Sequence, residues 1–285
     1  MSIRPIIVGW DGSPGAEEAV RWAAHTAARH HRTLRIIHVV KTGPAPSRSF
    51  LAGAEAVARE AEPTLRVHSG LLRGQPLEAL RTLSAPAGAL VVGTRGHSRL
   101  RTALVGSVSE GLTQQADGPV VVVRGRTDHH PSAPIVVGVD GSEISAAAIG
   151  YAARYAETLG APLVAVTAVP DPLQSVAPEA YLTEEHAAIA RRDAERIVQR
   201  AVTDIRTAHP GLIVESRVCE LEPLEALVEA AEDAQVLIVG THGRSGFGGV
   251  LFGSVSRTLL HHAPCPVAVV RPRRGLNVKG VESAG

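Results

Sequence analysis

Ile6-Ile7-Val8-Gly9-Trp10-Asp11-Gly12-Ser13 returns further along the chain as Ile135-Val136-Val137-Gly138-Val139-Asp140-Gly141-Ser142, an offset of 129 from Gly9 to Gly138. Each stretch is a short apolar run that ends in a glycine, an aspartate and a turn. A serine then stands where a helix would begin. Such a run suits a strand buried on both faces of a parallel sheet. Ser13 is a good N-cap and Pro14 a good first helical residue. Ala16, Ala19, Val20, Ala23 and Ala27 follow on one helical face. In the second copy Ser142 caps a helix that presents Ala148, Ala152, Tyr155 and Ala156.

The echo continues. Val91-Val92-Gly93-Thr94-Arg95-Gly96 is matched by Ile238-Val239-Gly240-Thr241-His242-Gly243, now at an offset of 147 from Gly93 to Gly240. Gly106-Ser107-Val108-Ser109 is matched by Gly253-Ser254-Val255-Ser256, and the run from Pro119 to Arg124 by that from Pro266 to Arg271. Self-similarity at this scale means two copies of one unit. The second copy is longer by 18 residues, mostly between Val169 and Ile213, where the first has only the segment 48–62. The chain divides into a first unit over residues 1–125, a polar Pro-containing linker over 126–134 and a second unit over 135–271. Residues 272–285 read as a tail without regular structure. A length of 285 residues suits two such domains. Apolar runs at 6–8, 36–40, 90–92 and 120–123 alternate with helical segments, which predicts an α/β fold of two tandem doubly wound domains.

Composition excludes several classes. Hydrophobic residues make up 45% and charged residues 20%, a globular balance, and the 3% of aromatics implies an aliphatic core. A net charge of +1 gives no reason to expect nucleic acid as a partner. Cys219 and Cys265 lack disulfide or metal spacing, the segment 1–7 lacks a signal-peptide apolar region, and no apolar run is long enough for a membrane. A cytoplasmic protein without a membrane association is expected.

The chemistry is concentrated in Gly93-x2-Gly96-x9-Gly106-Ser107 and its repeat Gly240-x2-Gly243-x9-Gly253-Ser254. Each follows a strand and opens a helix. Glycines let the backbone turn sharply and bring N–H groups close to a ligand. The Gly-Ser at a helix N-terminus offers unpaired N–H groups and a favourable dipole to a phosphate. Candidate contacts are therefore Gly93, Thr94, Arg95, Gly96, His97, Ser98, Arg99, Gly106, Ser107, Val108 and Ser109 in the first copy. Their counterparts are Gly240, Thr241, His242, Gly243, Arg244, Ser245, Gly246, Gly253, Ser254, Val255 and Ser256. The inserts 97–105 and 244–252 read as flaps over the phosphates, ordered by the ligand.

Ligands in such sheets sit beyond the carboxyl ends of the strands, where strand order reverses. Gly9 and Gly138 end the first strands there. Asp11 and Asp140 are placed to accept from the exocyclic amine of an adenine, or alternatively to make Asx-turns into the next helix. Asp171 is placed for ribose hydroxyls in the second copy, where the first has Lys41-Thr42. Ser107-x-x-Glu110 also has the form of a capping box. Arg257 replaces Glu110 in the second copy. A cation in a first helical turn opposes the helix dipole unless an anion lies nearby, so a bound phosphate would make the second site the tighter one.

The paired glycine motifs and the Val-Gly-x-Asp-Gly-Ser strand ends resemble the universal stress protein family in its tandem, ATP-binding form. The resemblance covers nearly the whole chain outside linker and tail. It implies five-stranded parallel sheets of order 3-2-1-4-5, last strands that pair across a domain or subunit interface, and ATP (or ADP or AMP) with accompanying Mg²⁺ as ligand. It also implies a nucleotide-dependent regulator or sensor in stress adaptation or growth arrest, working as a homodimer or intramolecular pseudo-dimer with a protein partner of unspecified kind. The shortened middle of the first copy departs from the pattern and puts its second helix and ribose contacts in question. A slow ATPase or adenylyl-transferring enzyme of related fold is the alternative. Against it stand the missing Gly-x-Ser-x-Gly and P-loop lysine motifs and the lack of a nucleophile–base pair. The adjacent pairs His30-His31, His129-His130 and His261-His262 point apart and predict no metal cluster. Arg191, Arg192, Asp193, Glu195, Arg196 and Arg200 read as a solvated helix face.

Overall fold

The computed structural model describes residues 4–44, 46–94, 105–128, 130–169, 184–243 and 253–272. The first copy runs β1 (Ile6–Gly9), α1 (Pro14–Arg29), β2 (Leu34–Val40), α2 (Arg48–Ala61), β3 (Val67–Arg73), α3 (Pro76–Ser84), β4 (Ala89–Gly93), α4 (Ser107–Gln115) and β5 (Val120–Val123). The second repeats it as β6 (Ile135–Gly138), α5 (Glu143–Leu159), β7 (Leu163–Ala168), α6 (Glu184–Ala208), β8 (Val214–Cys219), α7 (Pro223–Ala230), β9 (Val236–Gly240), α8 (Ser254–His262) and β10 (Val267–Val270). The second helix of the first copy is present despite the shortened middle, at 14 residues against 25 for α6.

All ten strands belong to one sheet, ordered β3-β2-β1-β4-β5-β10-β9-β6-β7-β8. Each half is parallel with the order 3-2-1-4-5. The halves meet where β10 runs antiparallel to β5, with Val267 opposite Val122 and Val269 opposite Val120. Strand side chains alternate between faces. Ile6 and Val8 enter one apolar core with Val121, Val123, Ala268 and Val270. Ile7 enters the other with Val120, Val122, Val267 and Val269. Both cores run uninterrupted across the β5–β10 seam and join the two copies.

Helix starts follow the local chemistry. Ser13 Oγ accepts from the Ala16 N–H at 3.2 Å and Ser142 Oγ from the Ser145 N–H at 3.1 Å, satisfying one orphan donor in each helix. The Ser107–Glu110 capping box does not form. Gly106 is the N-cap of α4 and Ser107 already lies inside the helix, where its side chain makes no cap bond.

Further polar contacts join the copies. Arg29 donates to the Gln235 side-chain oxygen at 2.6 Å, and Gln235 donates to the linker carbonyl of Pro131 at 3.0 Å. The His30 ring stacks at a tilt on Tyr155, with centroids 4.5 Å apart. Burial, reinforced by Arg32, Arg29 and His31, pushes the His30 pKa down to about 4. No helix among the described residues is long and apolar enough to cross a membrane.

Candidate nucleotide site

Strands β6 and β9 end in glycine and β7 ends in alanine. The gap between β6 and β9, where the chain reverses strand order, opens into a cavity of about 500 Å³. That size lies in the range of small-ligand sites, and so does its location. Val139, Val166, Ile197, Leu227 and Val239 make an apolar part of the wall. Gly240, His242, Gly243, Gly253, Ser254, Val255 and Ser256 make a second set, and Gly138 and Asp140 also line the cavity. A flat apolar group fits against the first set. An anion fits the second, where the N-terminus of α8 opens into the cavity.

Short contacts hold this second set in shape. The Gly253 N–H donates to the Thr241 carbonyl at 2.8 Å, bringing the start of α8 back onto the end of β9. Ser256 Oγ donates to the Gly240 carbonyl at 2.7 Å. The first copy repeats both contacts, Gly106 N–H to Thr94 carbonyl at 2.6 Å and Ser109 Oγ to Gly93 carbonyl at 2.7 Å. The hydroxyl protons of Ser109 and Ser256 thus hold helix to strand. Two glycines are needed for close approach. A Cβ on Gly240 would stand 2.6 Å from Ile144 Cγ2, and one on Gly243 would stand 2.5 Å from Asp140 Oδ2.

Asp140 Oδ1 accepts from the Ser142 N–H at 2.9 Å, and Asp11 Oδ1 accepts from the Ser13 N–H at 3.0 Å and from Ser13 Oγ at 2.6 Å. These are Asx-turns, and the intervening Gly12 and Gly141 both take φ +81°, which a side chain would resist. Asp140 nonetheless faces the cavity, so turn and lining roles coexist in one side chain.

Sequence reasoning missed part of the wall. Ala190, Asp193, Ala194 and Ile197 line the cavity from α6, and their i, i+3, i+4, i+7 spacing is the signal that one helix face carries them. In sequence Asp193 reads as part of the solvated, arginine-rich helix face. It does bond Arg196 at 2.8 Å, but it also borders the cavity. Thr167 lines the cavity too, while its hydroxyl donates to the Val139 carbonyl at 3.0 Å. Arg95, Gly96, His97, Ser98 and Arg99 of the first copy lie outside the described residues, as do Asp171, Arg244, Ser245 and Gly246 of the second. So do 273–285 of the tail, 97–104 of the first flap segment and all of the second. Among the described residues, no three or more His, Cys, Asp or Glu side chains gather to hold a metal.

The expectation for Arg257 is corrected. Its guanidinium Nε donates to Glu110 Oε1 at 2.8 Å, across the seam. The anion beside this cation belongs to the other copy of the domain, so its charge gives no reason to rank the two sites.

Fold and cavity together define a tandem doubly wound α/β protein with a ligand crevice at a topological switch point. The model of the Universal stress protein family matches residues 2–124 and 132–271. A universal stress protein of Mycolicibacterium smegmatis is 33% identical over 291 residues, spanning 94% of this chain and 97% of that protein. One from Mycobacterium tuberculosis strain H37Rv is 32% identical over 305 residues, spanning 93% and 94%. The crystal structure of a universal stress protein from Archaeoglobus fulgidus superposes with a TM-score of 0.66 at 17% identity, covering 95% of this chain and 99% of that one, a likeness of fold. The chain belongs to the universal stress protein family.

Proposed function

We propose that this protein binds an adenine nucleotide, ATP with its Mg²⁺, in the crevice of the second copy, and acts as a nucleotide-dependent regulator or sensor in stress adaptation. The observation that carries the reading is one cavity with two chemically different sets of lining residues at the β6–β9 switch point. The base would lie against Val139, Val166, Ile197 and Leu227, and the phosphates against Gly240, Gly243, Gly253 and Ser254. Asp140 and Asp193 supply carboxylates for the amine and hydroxyl groups between them. With no metal-ligand cluster among the described residues, Mg²⁺ would ride on the phosphate oxygens, in keeping with its habit of retaining water and binding through substrate phosphates.

The family resemblance supports the regulatory half of this reading, and the cavity supports the binding half. A calorimetric titration of nucleotide-free protein with Mg·ATP, Mg·ADP, AMP and Mg·GTP tests it. Saturable binding of the adenine nucleotides, tighter than GTP, is expected. Absence of heat and of any thermal shift with all four would refute it.

A further inference from the structure

Three positions that line the cavity of the second copy are rebuilt in the first. The register of β1 on β2 sets Gly9 opposite Ile37, and that of β6 on β7 sets Gly138 opposite Val166. The next residues are therefore equivalent, Trp10 with Val139 and His38 with Thr167. Helix-to-strand loops of the same length, from Ala61 to Val67 and from Ala208 to Val214, place Phe50 on α2 where Ile197 stands on α6.

In the second copy Val139, Thr167 and Ile197 border open space. In the first, their counterparts close on one another. The ring centroids of Trp10 and Phe50 are 5.9 Å apart at an interplanar angle of 51°. Those of His38 and Phe50 are 4.8 Å apart, edge to face at 70°. Both separations are contact distances for aromatic rings, about 4.5–7 Å, with no slot for a purine between them. His38 is also pinned. Its Nδ1 lies 2.7 Å from the Trp10 carbonyl oxygen, the position that Thr167 Oγ1 serves in the second copy.

The rest of the helical wall is shorter. Helix α6 carries Ala190, Asp193 and Ala194 before Ile197, whereas α2 begins at Arg48, just ahead of Phe50. Gly93 in the first copy has a packing reason to be glycine. A Cβ on Gly93 would stand 2.4 Å from the Gly15 carbonyl oxygen, whatever is bound.

We infer that the first copy accepts no nucleoside, its base pocket being filled by its own Trp10, His38 and Phe50. The chain then holds one nucleotide, in the second copy, and the first serves as its docked scaffold. This rests on the nucleotide reading of the second copy. Equilibrium dialysis of the full chain against labelled Mg·ATP should saturate at one per chain. A variant that transplants the aromatic plug, Val139→Trp with Thr167→His and Ile197→Phe, should bind at least 100-fold more weakly. Saturation at two per chain would overturn the inference while leaving the nucleotide reading intact. Binding undiminished by the plug would overturn it as well, since the nucleotide would then be elsewhere. No binding by the wild type would overturn both. Should the plugged variant not fold, hydrogen exchange of the wild type decides. Mg·ATP should protect peptides covering 136–145 and 236–243, and leave 7–16 and 89–94 unchanged. Equal protection of both sets would contradict the inference.

Discussion

Glu110 and Arg257 occupy the same place in the two copies, one turn into α4 and one turn into α8, and they pair with each other across the pseudo-twofold seam at 2.8 Å. Sites related by an approximate twofold meet near its axis. One position of the repeat therefore carries opposite charges in the two copies, and the difference adds a polar contact between them. The neighbouring contacts agree. Arg124 donates to the Leu259 carbonyl at 3.2 Å, and its counterpart Arg271 donates to the Gln114 carbonyl.

This pair should be worth about 0.5–1 kcal/mol, because Arg257 is largely exposed and water and salt screen it. A double-mutant cycle of Glu110→Gln and Arg257→Gln in urea unfolding should return a coupling of that size, smaller in high salt. Glu110→Lys alone should destabilise more than Glu110→Gln, and Arg257→Glu should rescue it. Failure of the charge swap to rescue would mean the pair is incidental.

Gly93 and Gly240 are equivalent in sequence, yet alanine should cost different amounts at the two. The Cβ of Gly93→Ala meets a backbone oxygen, Gly15 O at 2.4 Å, which moves only with the start of α1. The Cβ of Gly240→Ala meets the Ile144 side chain at 2.6 Å. Overpacking of this kind costs roughly 1–3 kcal/mol, and we expect Gly93→Ala near the top and Gly240→Ala near the bottom of that range. Chemical denaturation of both variants measures it, and an inverted order would contradict the packing reading.

His30 gives the fold an acid-side liability. Its folded pKa of about 4 lies below the ordinary histidine value of 6.5, so between these values the unfolded chain binds a proton that the folded chain excludes. Stability is therefore fully retained above the upper value and lost as pH falls toward the lower one. The slope is at most about 1.4 kcal/mol per pH unit. The loss attributable to this group should be absent from His30→Phe, compared with wild type by urea unfolding at several pH values. An unchanged pH slope would show that other groups dominate.

Much of the fold was legible because its signals are local. Buried strands such as Ile6–Gly9 are continuous apolar runs, and Ser13 and Ser142 announce the helices that follow them. The glycine-lined part of the candidate site was legible for the same reason, since glycine spacing is written within one segment. The apolar part was not. Asp193 looked like one more charge on an arginine-rich helix, and only the docking of α6 over β7 turns it toward the cavity. Trp10, His38 and Phe50 come from three separate elements, and their contact exists only after folding. The Glu110–Arg257 pair is least legible of all. A substitution between repeats looks like divergence until the β5–β10 seam brings the two positions together.

The most direct test of nucleotide binding in the second copy is photolabelling of the full chain with an azido-adenine analogue of ATP, followed by peptide mapping of the adduct. The base is expected against Val139, Val166, Ile197 and Leu227, so the label should fall in peptides from β6, β7, α6 or α7 and be competed away by Mg·ATP. Competable label on peptides carrying Trp10, His38 or Phe50, or no competable label at all, would contradict it.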